Sequence, residues 1–118
     1  MVGIASGKNL AGTILRLTSP VGPGMPDNKI LSAFVRRSMA DLPLQLIGRG
    51  TRKQNYVDVR DVAEVIWSCL QRRFSGIFNI AGRTCISNIE LAEKCIRILR
   101  SSSEMQFIDR KDPEEGIV

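Results

Sequence analysis

The chain has 118 residues, 43% apolar and 25% charged, which suits one folded domain or a piece of one and excludes a disordered chain. Seventeen Lys and Arg against twelve Asp and Glu leave a formal charge of +5, and His is absent, so Ser-His-Asp and Cys-His hydrolases are excluded by composition. Cys69, Cys85 and Cys95 are widely spaced with no Cys-x-x-Cys, which with the lack of His leaves no zinc site and reads as reduced, cytoplasmic thiols.

No apolar run approaches the roughly 20 residues of a membrane helix, and no signal peptide is expected. Nucleic acid is disfavoured as a partner. Only six aromatic residues are present (four Phe, one Tyr, one Trp), and no Lys/Arg run exceeds two, which is thin for base stacking and backbone tracking.

Residues 1–12 carry Gly3, Gly7 and Gly12 with few large apolar side chains and are expected to be irregular. Gly3 to Lys8 leaves three residues between its glycines where a phosphate loop needs four, and Asn9 replaces the metal-binding Ser or Thr, so no phosphate loop is assigned. Thr13–Leu17 is a strand. Thr18–Pro26 holds three prolines and two glycines, which predicts an irregular loop of defined path. Asp27–Ala40 is a helix capped by Asp27 or Asn28, with Ile30, Leu31, Phe34, Val35 and Met39 inward and Arg36 and Arg37 in solvent. Leu44–Ile47 alternates as a strand.

Gly48 to Glu64 is the densest stretch. Gly48 and Gly50 permit a tight turn, and Arg49, Arg52 and Lys53 place cations beside it. Tyr56, Val57 and Val59 read as a strand, and Asp61 with Glu64 as a capping box for a helix over Val62–Gln71. That helix should bury Val62, Val65, Ile66, Cys69 and Leu70, with Trp67 at the margin and Arg72 and Arg73 closing it. A basic loop feeding a strand and a capped helix suits an anionic ligand; an ordinary solvated hairpin is the other reading of the same residues. Gly76–Gly82 is a further strand. Ser87 and Glu90 form a capping box for a helix to Leu99, with Ile89, Ala92, Cys95, Ile96 and Leu99 inward. Ser101–Ser103 is a polar turn, Met105–Ile108 a last strand, and Asp109–Val118 a charged tail. The element order is α/β, with Leu44–Ile47 and Met105–Ile108 suited to a small separate sheet.

Three motifs in order carry a family resemblance. The strand ending Leu15-Arg16 leads into Ser19-Pro20-Val21-Gly22-Pro23-Gly24. Gly48-Arg49-Gly50 is followed by Gln54-Asn55-Tyr56-Val57-Asp58-Val59-Arg60-Asp61-Val62-Ala63. Gly76-Ile77-Phe78-Asn79-Ile80 closes the set. The chain, over roughly residues 13–112, resembles the late part of the extended short-chain dehydrogenases/reductases, the nucleotide-sugar epimerases and dehydratases. The resemblance implies the C-terminal portion of a Rossmann-type NAD(P)-binding fold with its small substrate-binding subdomain, the N-terminal Rossmann half missing. Residues 1–118 then form one partial domain. Within it, 13–24 is a late Rossmann strand and ligand loop, 27–59 the substrate-side helix and strands, 61–100 a late helix-strand-helix and 105–118 a terminal strand and tail.

The resemblance also implies residue roles. Thr18, Ser19 and Pro20 would lie at the nicotinamide end of NAD or NADP. Ser19, Asn28, Lys29, Arg52, Lys53, Gln54 and Tyr56 would line the nucleotide-sugar, with Arg52 or Lys53 supplying the charge that the family places at Gln54. The family works by removing a hydride from a sugar carbon and returning it, with a Tyr base and a Lys four residues on. The only Tyr is Tyr56, and Arg60 follows it by four, so no catalytic residue is assigned; the Gly-rich cofactor loop is likewise absent from the sequence. The expectation is a substrate-side fragment, inactive alone, partnered by a nucleotide-sugar and the missing half, with homo-oligomerisation left open. The alternatives are a stand-alone non-catalytic nucleotide- or anion-binding module, and a docking partner for a Rossmann half on another chain.

Overall fold

The computed structural model describes residues 12–111. The expectations for residues 1–11 and 112–118 lie outside those residues. In chain order the elements are β1 (Thr13–Leu17), β2 (Ser19–Val21), α1 (Ile30–Met39), β3 (Leu44–Ile47), β4 (Lys53–Asp58), α2 (Val59–Arg72), β5 (Gly76–Ile80), β6 (Cys85–Ser87), α3 (Asn88–Ile98) and β7 (Met105–Ile108). The chain divides into two compact units, one formed by residues 12–22 and 56–83 and the other by 23–55 and 84–111.

In the first unit β1 pairs in parallel with β5, Thr13 opposite Gly76 through Leu17 opposite Ile80. Helix α2 leads into β5, the crossover that a parallel pair requires. β2 runs parallel to the second half of β4, with Ser19 opposite Tyr56 and Val21 opposite Asp58. This corrects the reading of Thr18–Pro26 as wholly irregular. Pro20 is compatible with pairing because β2 pairs only with β4 among the described residues, so the missing N–H costs no second ladder. Gly22 is required by close approach: a Cβ there would stand 2.4 Å from Val59 Cγ2.

Helix α2 starts three residues before its expected start. Asp58, not Asp61, is its N-cap, accepting from Arg60 N at 2.8 Å, so Val59 is helical rather than extended. An Asp can take either role, and the strand pairing of Asp58 with Val21 decides which is used. Of the expected inward face only Val62 is buried; Ile66 is 46%, Trp67 61% and Leu70 68% exposed. The sheet residues share this exposure: Ile14 and Ile77, paired on one face, and Leu17 and Phe78 on the other, are all exposed. Val57 and Val62 are the buried apolar residues of this unit among those described.

The second unit holds most of the core. β3 pairs in parallel with β7, Leu44 opposite Met105 through Ile47 opposite Ile108, the separate small sheet expected. Alternation buries Leu44 and Leu46 completely and turns Gln45 outward. Helices α1 and α3 pack on this sheet and on each other through Phe34, Leu91, Ala92 and Cys95. Burying a large apolar side chain of this kind contributes about 1.5–3 kcal/mol. The start of β4 runs antiparallel to β6, Lys53 opposite Ser87. Ser87 caps α3 in the expected capping box: Glu90 N donates to its Oγ at 3.2 Å and its own N–H donates to Glu90 at 2.9 Å.

Other helix expectations are corrected. α1 begins at Ile30 with Lys29 as N-cap and no side-chain cap; Asp27 instead pairs with Arg36 at 3.8 Å. Ser38 lies in the core where Met39 was expected, and Met39 is 71% exposed. Arg37 is half-buried, its Nε donating to Pro43 O. Leu99, expected inward, is 38% exposed, while Leu91 takes the core position. Asp41, just past α1, ties down the turn after α3: it accepts from Ser102 N at 2.8 Å and Ser101 Oγ at 3.0 Å. Those bonds, the Ser102 amide first, hold its carboxyl below the usual range.

Candidate functional site

The expected site residues divide between the units. In the first, Thr18 follows β1 directly, and its amide donates to Ile80 O at 3.1 Å, extending the β1–β5 ladder by one residue. It therefore sits at the carboxyl end of a parallel pair, the edge at which open α/β sheets take ligands. Its Oγ1 is shut from solvent and has no hydrogen-bond partner among the described residues. A buried orphan hydroxyl is costly, and a ligand amide or hydroxyl would satisfy it. Ser19 and Pro20 continue into β2, and Ser19 faces Tyr56 across the ladder, so two of the expected substrate residues are brought together.

Arg60, four residues after Tyr56, is engaged elsewhere. Its Nε and Nη2 reach Asp58 at 3.0 and 2.6 Å. The Arg60 side chain, then the Arg60 amide, lower the Asp58 carboxyl to about 2. Arg60 is thus the partner of a helix-capping carboxylate, not of the Tyr56 phenol.

In the second unit Gly48 and Gly50 adopt φ +61° and +69°, the tight turn expected of them. Arg52 donates through Nη2 to Gln54 Oε1 at 3.4 Å, so the cation and the amide are linked side chains. Lys53 lies close enough to Glu90 to help lower its carboxyl, after the dominant hydrogen bonds from Ser87. Asn28 and Lys29 are exposed just before α1.

Sequence reading missed two cations. Arg49, Arg110 and Lys111, with Gly48, Phe107 and Asp109, line a hollow of about 620 Å³ at the carboxyl ends of β3 and β7. Gly48 N donates to Ile108 O at 2.9 Å, and a Cβ on Gly48 would stand 3.4 Å from Arg110 O, so the two strand ends are held close. The available signal was a pair of cations one residue past a strand. The parallel register that sets them beside Arg49 is a long-range fact. Among the described residues there is no cluster of His, Cys, Asp and Glu suited to a metal, and no helix long and apolar enough to cross a membrane.

These features are those of an α/β fold with parallel pairs and a ligand edge, and the chain belongs to the NAD dependent epimerase/dehydratase family, whose model matches residues 2–81. Among individual relatives it is similar to UDP-glucuronic acid decarboxylase 1 of Arabidopsis thaliana, 25% identical over 96 residues, 80% of this chain and 22% of that protein. It is similar in structure to dTDP-glucose 4,6-dehydratase of Bacillus anthracis in complex with NAD (TM-score 0.74, 22% identity, 85% of this chain and 33% of that one). It is also similar to the UDP-glucose 4-epimerase of Thermus thermophilus in complex with NAD (TM-score 0.73, 22% identity, 90% and 37%). The fold is therefore that of a portion of the Rossmann-type epimerases and dehydratases, and the chain spans about a third of the length of these two solved structures.

Thr18 Oγ1 offers a buried polar atom at the ligand edge, unpartnered among the described residues, and Ser19 adjoins it. The sequence has no Gly-rich turn for the cofactor's diphosphate.

Proposed function

We propose that this chain is the substrate-side part of an NAD(P)-dependent nucleotide-sugar epimerase or dehydratase working in the cytoplasm. The observation that carries the reading is the buried Thr18 hydroxyl, without a partner among the described residues, at the carboxyl end of β1 in a chain of this family. NAD(P), when bound, supplies the acceptor and donor of a hydride. Thr18, Ser19 and Pro20 hold its nicotinamide end, Thr18 by a hydrogen bond from or to Oγ1. Within the second unit Asn28, Lys29, Arg52, Lys53 and Gln54 are the residues that contact the nucleotide-sugar. Arg52 carries charge toward the diphosphate and Gln54 orients it. The base and the cofactor's diphosphate site come from a parallel α/β half that covers the exposed faces of β1 and β5, since parallel sheets are stable when covered on both sides. The chain alone is a binder without turnover.

Calorimetric titration with UDP, dTDP and GDP tests this. One of the three should bind saturably and be weakened by Arg52→Ala, and no NADH should form from nucleotide sugars. Turnover by the chain alone, or no nucleotide binding, would overturn the reading.

A further inference from the structure

We infer that the outer edge of β7 is the interface of a homodimer, in which β7 of one copy pairs antiparallel with β7 of a second. The backbone decides which groups face that edge. Leu44 N donates to Glu104 O at 2.8 Å and Gly48 N to Ile108 O at 2.9 Å, so the even-numbered residues here turn their backbone groups to β3. Alternation along a parallel ladder then turns the N–H and C=O of Met105 and Phe107 to the opposite edge. Among the described residues β7 pairs only with β3. Gln106, Phe107 and Ile108 are exposed, and no Lys or Pro stands within β7 to blunt the edge. The far edge of β3 differs: Pro43 precedes the strand, and Arg37 Nε donates to the Pro43 carbonyl there.

A second copy fits this edge by register and by charge. Only odd-numbered residues can exchange bonds across it, which rules out every register that sets odd against even. Phe107 opposite its twin, with Met105 opposite Asp109, meets that condition. The same register sets Glu104 of each copy opposite Arg110 of the other, at both ends of the pairing. Both side chains are exposed, and neither makes an ion pair among the described residues. Opposite charges facing across two strands stabilise the pair, and like charges destabilise it. A shift of two residues either way loses this match, setting Glu104 opposite Ile108 or Arg110 opposite Gln106. Phe107 lies beside Leu46 in the β3–β7 register yet is 50% exposed, and its twin covers that open apolar surface. The pairing is independent of the nucleotide-sugar reading, since it uses none of the residues assigned to ligands.

The test is sedimentation equilibrium of the 118-residue chain over a wide concentration range. Glu104→Arg, Arg110→Glu and the exchanged double variant Glu104→Arg/Arg110→Glu are compared with the unsubstituted chain, and thermal unfolding confirms that each folds. The expected result is a monomer–dimer equilibrium whose dissociation constant rises roughly tenfold or more in each single variant. The double variant should return it to within about threefold of the unsubstituted chain, a rescue that a merely local role for either residue would not give. Trp67→Gln, on α2 of the first unit, should leave the equilibrium unchanged. A monomer at every concentration, single variants without effect, no rescue by the exchange, or dissociation by Trp67→Gln overturns the interface.

Discussion

The carbonyl of Gly50 accepts the amide of Ile89 at 2.9 Å, and a Cβ on Gly50 would stand 3.2 Å from Ile89 Cβ and 2.6 Å from Leu46 Cδ2. The turn after β3 is thus locked onto the first turn of α3. Gly50 is buried at φ +69°. Gly50→Ala combines a left-handed penalty with overpacking and should cost about 3 kcal/mol. Gly24, at φ +86° with nothing within 4 Å of a Cβ, should cost only about 1 kcal/mol when replaced by Ala. Urea unfolding of both variants checks the difference; equal losses would remove the packing argument.

The capping box of α3 gives a second expectation. Ser87→Ala removes the acceptor for Glu90 N and should destabilise the chain by roughly 1 kcal/mol, while Ser87→Asp should recover most of it. Denaturant midpoints at constant slope measure both.

Ser38 is 1% exposed, and its Oγ has no hydrogen-bond partner among the described residues. An unsatisfied buried hydroxyl opposes folding, so Ser38→Ala should be neutral or stabilising by up to about 1 kcal/mol. A clear loss of stability, by thermal or chemical unfolding, would mean that the hydroxyl is bonded.

The Asp58 carboxyl lies at about 2 in the folded chain against an ordinary 3.8, chiefly through the Arg60 side chain. A depressed carboxylate stabilises above its unfolded pKa and loses that contribution as pH falls through its folded pKa. The α2 cap should therefore be intact above about pH 4 and lost toward about pH 2. Carboxyl NMR titration should show Arg60→Gln raising the Asp58 midpoint toward 3.8, and an unmoved midpoint would sink the assignment to Arg60.

Trp67, 61% exposed on α2, and Phe34, 2% exposed on α1, differ in burial far more than in size. Trp67→Gln should change stability by under about 0.5 kcal/mol, and Phe34→Ala should cost about 3–5 kcal/mol. Trp67 emission should match a solvated indole in the chain alone. A blue emission would contradict the exposure of α2.

The elements legible from the residues were those with local causes. Thr13–Leu17, Leu44–Ile47 and Met105–Ile108 were read with their observed bounds because β-favouring residues lie between turn-formers. Ser87 with Glu90 was read correctly because a capping box is closed within a single turn. The start of α2 was misread because Asp58 and Asp61 are locally equivalent, and only the pairing of Asp58 with Val21 separates them. Pro20 in β2 was hidden for the same reason: its strand exists only against β4.

By itself the sequence determined the α/β class, the three motifs of the family and the exclusion of His-based chemistry. Tertiary structure alone decided which side chains are left with unmet needs among the described residues. Thr18 has a sealed hydroxyl with no partner, and Arg49, Arg110 and Lys111 share a hollow without an ion pair. The reason is physical: propensity and capping act over a few residues, whereas desolvation and charge repulsion depend on neighbours far along the chain, as Arg49 is from Arg110.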